Sequence, residues 1–148
     1  MSDQKPVILF VDDEPAFAQR YLEELRKQFE VIYVADASEA LEVMRQRLGE
    51  IRALVIDVMM PTPEGVSDTD TDDGFETGLW LLQQFRGYPA GDWRMGVIVL
   101  TNRRTDLIRD GLRRRGIDEQ GVQIYRKIDM PAFALPRRVK GLIESVKR

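Results

Sequence analysis

Five short apolar runs, each handing over to a longer stretch with helical spacing, constrain this chain more than any other feature of its sequence. The runs lie at 7–11, 31–34, 53–56, 97–100 and 122–125 and are rich in Val, Ile and Leu. Strands of that length with apolar residues on both faces belong in a parallel sheet covered on both sides. The intervening stretches carry apolar residues three and four apart, the pattern of an amphipathic helix. Phe17, Tyr21, Leu22, Leu25 and Phe29 follow the first run, and Ala40, Leu41, Met44 and Leu48 the second. Leu79, Leu82 and Phe85 follow the third, and Leu107, Ile108 and Leu112 the fourth; a last helix is expected over 133–146. Pro15 suits a first helical position and Ser38 an N-cap, while Gly49, Gly87 and Gly116 suit the ends of the second, third and fourth helices. Five such units with short connections give an α/β chain, a doubly wound five-stranded parallel sheet with helices on both faces.

The 148 residues fit one domain spanning 1–148, and an apolar fraction of 43% is enough to build its core. A net charge of −3, with a pI near 5.1, argues against bulk attraction to nucleic acid or an anionic membrane. The sequence has no Cys and no His. Disulfides, thiolate and imidazole metal ligands, imidazole bases and a phosphohistidine on this chain are thereby excluded. Chemistry must run on carboxylates, hydroxyls, Lys and Arg. The apolar run nearest the N-terminus is too short for a signal segment or a membrane span, so a cytoplasmic location is expected.

In doubly wound sheets the site lies beyond the carboxyl ends of the strands, where the strand order reverses. The residues just past four of the five runs are Asp12 with Asp13, Asp57, Thr101 and Lys127. Three carboxylates brought together repel unless they are protonated or share a cation. An all-oxygen donor set suits a hard ion, Mg²⁺ or Mn²⁺. A strand-end carboxylate is a competent phosphoryl acceptor, forming an acyl phosphate. Phosphoryl transfer asks mainly for positioning and charge stabilisation, which the Lys127 ammonium and the Thr101 hydroxyl can supply.

Taken in order, these residues resemble the receiver domains of two-component response regulators. Asp12-Asp13-Glu14-Pro15 resembles the family's acidic pair, Asp57-Val58-Met59-Met60-Pro61 the segment around its phospho-acceptor, Thr101 its switch hydroxyl and Lys127 its lysine. The match runs from residue 5 to residue 146. The resemblance implies a (βα)5 flavodoxin-like receiver fold with Asp57 as acceptor. Mg²⁺ would be held by Asp12, Asp13, Asp57 and the Met59 carbonyl. The donor would be the phosphohistidine of a sensor histidine kinase or phosphotransfer protein. Output would be contact with a downstream protein, or a homodimer through the fourth helix, fifth strand and fifth helix. Beyond self-phosphorylation and autodephosphorylation, no enzymatic activity is implied. No direct DNA binding is expected, because the chain closes on its fifth helix.

Three positions depart from the family pattern. Ile128 stands where a proline with a cis bond usually follows the lysine, Asn102 where a small residue follows the switch hydroxyl, and Ile124, with Tyr125 beside it, where an aromatic switch residue lies. They leave open an alternative, a pseudo-receiver that binds proteins without phosphorylation control. A dehalogenase-type phosphatase also combines Asp, Thr, Lys and Mg²⁺, but its nucleophile follows the first strand in an Asp-x-Asp pattern. Here those positions read Asp12-Asp13-Glu14.

Two stretches belong to this chain alone. An acidic loop insertion at about 62–77 carries Glu64, Asp68, Asp70, Asp72, Asp73 and Glu76 with no basic residue. Its 68–74 stretch superficially resembles a calcium loop, but Gly74 falls one place late and the twelfth position is Leu79, not Glu. The segment is expected to be solvated and mobile, gating a donor kinase or discouraging anionic donors. After the fourth run come Arg103, Arg104, Arg109, Arg113, Arg114 and Arg115. They read either as a solvated helix balanced by Asp106 and Asp110 or as a docking face for an acidic partner, centred on Arg103, Arg104, Arg109 and Arg113.

Overall fold

A computed structural model describes residues 4–86 and 95–146. The strands are β1 (Val7–Val11), β2 (Glu30–Val34), β3 (Ile51–Ile56), β4 (Gly96–Thr101) and β5 (Val122–Arg126). They form one parallel sheet in the order β2-β1-β3-β4-β5. The central strands β1, β3 and β4 are almost wholly buried, which is why each reads as an unbroken apolar run, whereas the edge strands β2 and β5 are half-buried.

The helices are α1 (Pro15–Leu25), α2 (Ala37–Arg47), α3 (Thr77–Arg86), α4 (Thr105–Arg114) and α5 (Leu135–Ser145). Alternation along each strand divides the core in two. Ile8, Phe10, Val55, Ile98 and Leu100 pack with α1 and α5. Leu9, Val11, Leu54, Ile56, Val97 and Val99 pack with α2, α3 and α4. The expected doubly wound α/β sheet is therefore the observed one. Its order reverses between β1 and β3, so the crevice at the switch point opens beside Asp12 and Asp57.

Several local expectations are corrected. The N-cap of α2 is Asp36, whose carboxylate accepts from the Glu39 N–H at 2.8 Å; Ser38 lies inside the helix. Gly49 does not stop α2 directly, because a 3₁₀ turn, Leu48–Glu50, intervenes. Phe29 lies beyond α1 and is buried just before β2. The last helix begins at Leu135 rather than Phe133: Ala132–Ala134 form a separate 3₁₀ turn, and Pro136 sits in the first turn of α5, where its missing N–H costs nothing. Gly116 follows α4 with φ 72°, as a C-terminal glycine should. Gly87 lies outside the described residues.

The 62–77 segment departs most from expectation. It is a chain of tight turns in which Thr71, Glu76 and Thr77 are buried, rather than a wholly solvated loop. Its end is pinned beneath the site. Gly78 donates to the Val58 carbonyl at 2.8 Å, and a Cβ at Gly78 would lie 2.1 Å from the Asp57 carbonyl oxygen, so only glycine lets α3 start there.

Candidate functional site

Neighbouring strands bring the acids together. Val11 pairs with Ile56, and the Asp57 N–H donates to the Val11 carbonyl at 3.0 Å, so the residues past β1 and β3 share one edge. Asp12, Asp13, Glu14 and Asp57 each offer a carboxylate oxygen, and these atoms all lie within 4.8 Å of one another. Asp12 and Asp57 are buried, Asp13 is half-buried and Glu14 is exposed.

Lys127 enters this cluster from the end of β5. Its Nζ lies 3.0 Å from Asp12 Oδ2, 3.0 Å from Asp57 Oδ2 and 3.3 Å from Glu14 Oε1. It also stands 4.1 Å from the centre of the Phe17 ring, a cation–π contact. No peptide bond among the described residues is cis, so the Lys127–Ile128 bond is trans. A 3₁₀ turn, Lys127–Asp129, carries the chain away, and the Tyr21 hydroxyl anchors it by donating to the Met130 carbonyl. Lys127 thus reaches the acids without a proline, and Ile128 is left 79% exposed.

The cluster carries more negative than positive charge. Burial pushes the Asp57 carboxyl up to about 6; Lys127 pulls against that shift and Asp12 adds to it. Burial likewise raises Asp12 and Asp13 above the usual carboxylate range. Burial works against the Lys127 charge, but Asp57 and Asp12 outweigh it, and its pKa rises. An all-oxygen set with surplus negative charge and no His or Cys is what a hard divalent cation requires.

Thr101 is buried at the end of β4, one strand over from Asp57, and its hydroxyl accepts from the Arg103 N–H at 3.0 Å. Asn102 is exposed. Met59 lines an open cavity of about 310 Å³ beside the acids, with Asp13, Met60, Pro61, Asp73, Gly74 and Phe75. A second cavity, of about 250 Å³ between Pro6, Phe29 and Lys140, contains none of these residues. On β5, Ile124 packs on the α4 side and Tyr125 on the α1–α5 side, in a β4–β5 register without a bulge. Tyr125 therefore does not supply the missing aromatic to the α4 face.

The arginines divide. Arg114 and Arg115 both pair with the buried Glu76, at 2.7 and 3.0 Å, and Arg115 also donates to the Asp70 carbonyl. Arg103 lies over the Phe75 ring and donates to its carbonyl. Arg104 pairs with Asp106, and Arg113 with Asp110 and Glu119. Much of the basic stretch is thus satisfied by the acidic segment or by its own helix. Within 62–77 no group of carboxylates gathers among the described residues as a metal site would require.

Two members of the site escaped the sequence reading as functional residues. Glu14 was legible as a third acid beside the pair. Phe17 fitted the helix pattern so well that only its position against Lys127 marks it out.

No family model matches the sequence, and no curated protein matches it. Solved structures do. The receiver domain of the Francisella response regulator 1452 is 24% identical, with 97% of this chain and 100% of that one covered and a TM-score of 0.69. The receiver domain of the hybrid histidine kinase CckA is 28% identical over 93% of this chain and 98% of its own, at a TM-score of 0.64. A CheY-like receiver domain from Methanospirillum hungatei is 20% identical over 97% of both chains, at 0.69. With the parallel order β2-β1-β3-β4-β5 and an acidic cluster at the switch point, this chain has the fold of the response-regulator receiver domains.

Proposed function

We propose that the chain is a phospho-accepting receiver of two-component signalling, in which Asp57 takes a phosphoryl group from a histidine kinase or phosphotransfer protein. The observation that carries this reading is the convergence of Asp12, Asp13, Glu14 and Asp57 around one buried ammonium, Lys127. One Asp57 carboxylate oxygen forms the new P–O bond while the donor's P–N bond breaks and the imidazole leaves with its proton. Lys127, already on Asp57 Oδ2, is placed to balance charge on the phosphoryl oxygens. Mg²⁺ held by Asp12, Asp13, Asp57, the Met59 carbonyl and, in this chain, Glu14 would neutralise the charge that otherwise keeps a phosphoryl group away from four carboxylates. Thr101 would exchange the Arg103 N–H for a phosphoryl oxygen, coupling the acceptor to the start of α4. A downstream protein would then read the exposed side of α4, where Arg104, Arg109 and Arg113 lie.

Intact-mass spectrometry after incubation with phosphoramidate and Mg²⁺ tests the reading. A single phosphoryl adduct is expected that needs the cation and is lost in Asp57→Asn. The packing of Tyr125 on the α1–α5 side favours a second reading, a pseudo-receiver that binds partners without phosphorylation. Absence of an adduct with phosphoramidate, acetyl phosphate and a panel of histidine kinases would establish that second reading.

A further inference from the structure

Three consecutive residues beside the acid cluster, Asp72, Asp73 and Gly74, have left-handed backbone, with φ of 54°, 56° and 88°. Non-glycine residues disfavour that conformation and keep it only where the surroundings hold them. Here the hold is explicit. Met60 donates to the Gly74 carbonyl at 3.2 Å, the Thr77 hydroxyl to the Met60 carbonyl at 2.7 Å, Gly74 to the Thr71 hydroxyl at 3.2 Å and Asp73 to the Asp68 carbonyl at 2.8 Å. The result lays Asp73, Gly74 and Phe75 along Met59, Met60 and Pro61, where with Asp13 they wall the 310 Å³ cavity.

Among the described residues no basic side chain lines that cavity, and Glu14 adds an exposed carboxylate beside it. Lys127 is buried on Asp12 and Asp57, and Arg103 is held on the Phe75 ring and carbonyl rather than in the wall. We infer that Asp73 is a specificity residue, which makes the mouth of the site favour phosphoryl donors with a nitrogen leaving group over small acyl phosphates. This rests on Asp57 being the acceptor. The preference follows from the leaving groups. Phosphoramidate reaches the site as a singly charged zwitterion, its nitrogen already protonated. When Asp57 forms the P–O bond and the P–N bond breaks, neutral ammonia departs, as neutral imidazole would from a phosphohistidine. Acetyl phosphate arrives as a dianion, and breaking its P–O bond to the acetyl group expels acetate, an anion, past Asp13 and Asp73. At the separations such a cavity allows, one wall charge acting on a dianion is worth roughly three- to tenfold in rate.

The test compares phosphorylation rates from the two donors, in Mg²⁺ at low salt, for the native chain, Asp73→Asn and Asp72→Asn. Asparagine tolerates left-handed backbone, so both substitutions remove charge without forcing the turn. Asp72→Asn removes the same charge from a residue outside the wall. Because the phosphoramidate monoanion gains half as much free energy from the loss of that charge, the ratio of acetyl phosphate to phosphoramidate rates in Asp73→Asn is expected to rise roughly two- to threefold, with a much smaller change in Asp72→Asn, and added salt should narrow the difference. An unchanged ratio in Asp73→Asn, or equal rises in both variants, would overturn the assignment while leaving Asp57 as acceptor. No adduct from either donor in the native chain would overturn the inference, and no adduct from a panel of histidine kinases as well would overturn the acceptor reading itself.

Discussion

Two ionic clusters with buried members among the described residues are built on opposite balances of charge. At the switch point of the sheet, Lys127 faces Asp12, Asp57 and Glu14, with Asp13 beside them. Between the acidic segment and α4, Glu76 faces two guanidiniums, Arg114 and Arg115. The first cluster holds Asp12, Asp13 and Asp57 above their ordinary pKa, Asp57 at about 6. In the second, burial works against the Glu76 charge, but Arg114 and Arg115 outweigh it and hold the pKa below its ordinary value. A cluster that costs stability until a cation arrives is a site, whereas one already balanced is a fastening. Neutralising an acid should therefore change stability in opposite directions in the two places.

The largest effect is expected at the one positive member of the first cluster. Lys127→Met leaves Asp12 and Asp57 buried without compensation and should cost roughly 3–5 kcal/mol at neutral pH without divalent cations, measured by chemical denaturation. Acid should shrink the loss, because the carboxyls then protonate, and Mg²⁺ should recover part of it. A loss below about 1 kcal/mol would mean that the ammonium does not hold the acids together, and the contrast with Glu76 would collapse.

Asp57→Asn should act in the reverse sense. The folded pKa of about 6 lies above the ordinary 3.8, so the folded state binds more protons than the unfolded chain between those values. Stability is then greatest below 3.8 and falls as the pH rises through about 6. Some two pKa units correspond to at most about 3 kcal/mol, so the variant should be roughly 1–3 kcal/mol more stable than the native chain at pH 7.5. The gap should close toward pH 4, and Mg²⁺ should narrow it by stabilising only the native carboxylate. Thermal melts across pH, with and without the cation, measure it. A variant less stable than the native chain would place Asp57 among the fastenings.

How legible the clusters were in the sequence follows from how their members are brought together. Asp12, Asp13, Asp57, Thr101 and Lys127 each end a strand, and parallel strands carry their ends to one edge, so reading the apolar runs was enough to find them. The pairing of Glu76 with Arg114 and Arg115 spans 38 and 39 residues and depends on how the turns of 62–77 fold back, which no periodicity encodes. Its burial corrects the expectation of a solvated segment at Glu76 alone among the acids, since Glu64, Asp68, Asp70, Asp72 and Asp73 are exposed. The α2 cap was legible and misread. Asp36 followed three residues later by Glu39 resembles a capping box, and Ser38 drew attention only as a serine near a helix start. The reach of Lys127 was not legible, because it depends on a 3₁₀ turn and on Phe17 and Tyr21 across the fold.

Glu76→Gln should mirror Asp57→Asn with a smaller magnitude. The amide oxygen can still accept from one guanidinium, and Arg114 is largely exposed, so a loss of about 1–2 kcal/mol is expected at neutral pH. A lowered pKa contributes stability above the ordinary 4.5 that is lost as the pH falls through the folded value. Native and variant curves should thus converge in acid from the side opposite to the Asp57→Asn pair. Denaturant midpoints at neutral and acid pH would check this, and a variant as stable as the native chain at neutral pH would remove the fastening.

The smallest effect on stability, and the sharpest on geometry, is expected at Gly111, where α4 packs against Leu79 and Glu76. A Cβ there would stand 2.5 Å from Leu79 Cδ1 and 3.2 Å from Glu76 Oε2. The Leu79 methyl can turn aside, and replacing a helical glycine by alanine stabilises by about 0.5–1 kcal/mol, so Gly111→Ala should shift stability by less than about 1 kcal/mol. The displaced oxygen belongs to the carboxylate that Arg114 and Arg115 share, so the two substitutions should couple. In a double-mutant cycle with Glu76→Gln, Gly111→Ala should cost less once the charge is gone. Additive effects would mean that the approach of α4 and the ion cluster are independent. Coupling would mean that Glu76, and not packing alone, sets how closely α4 lies against the segment that walls the acid site.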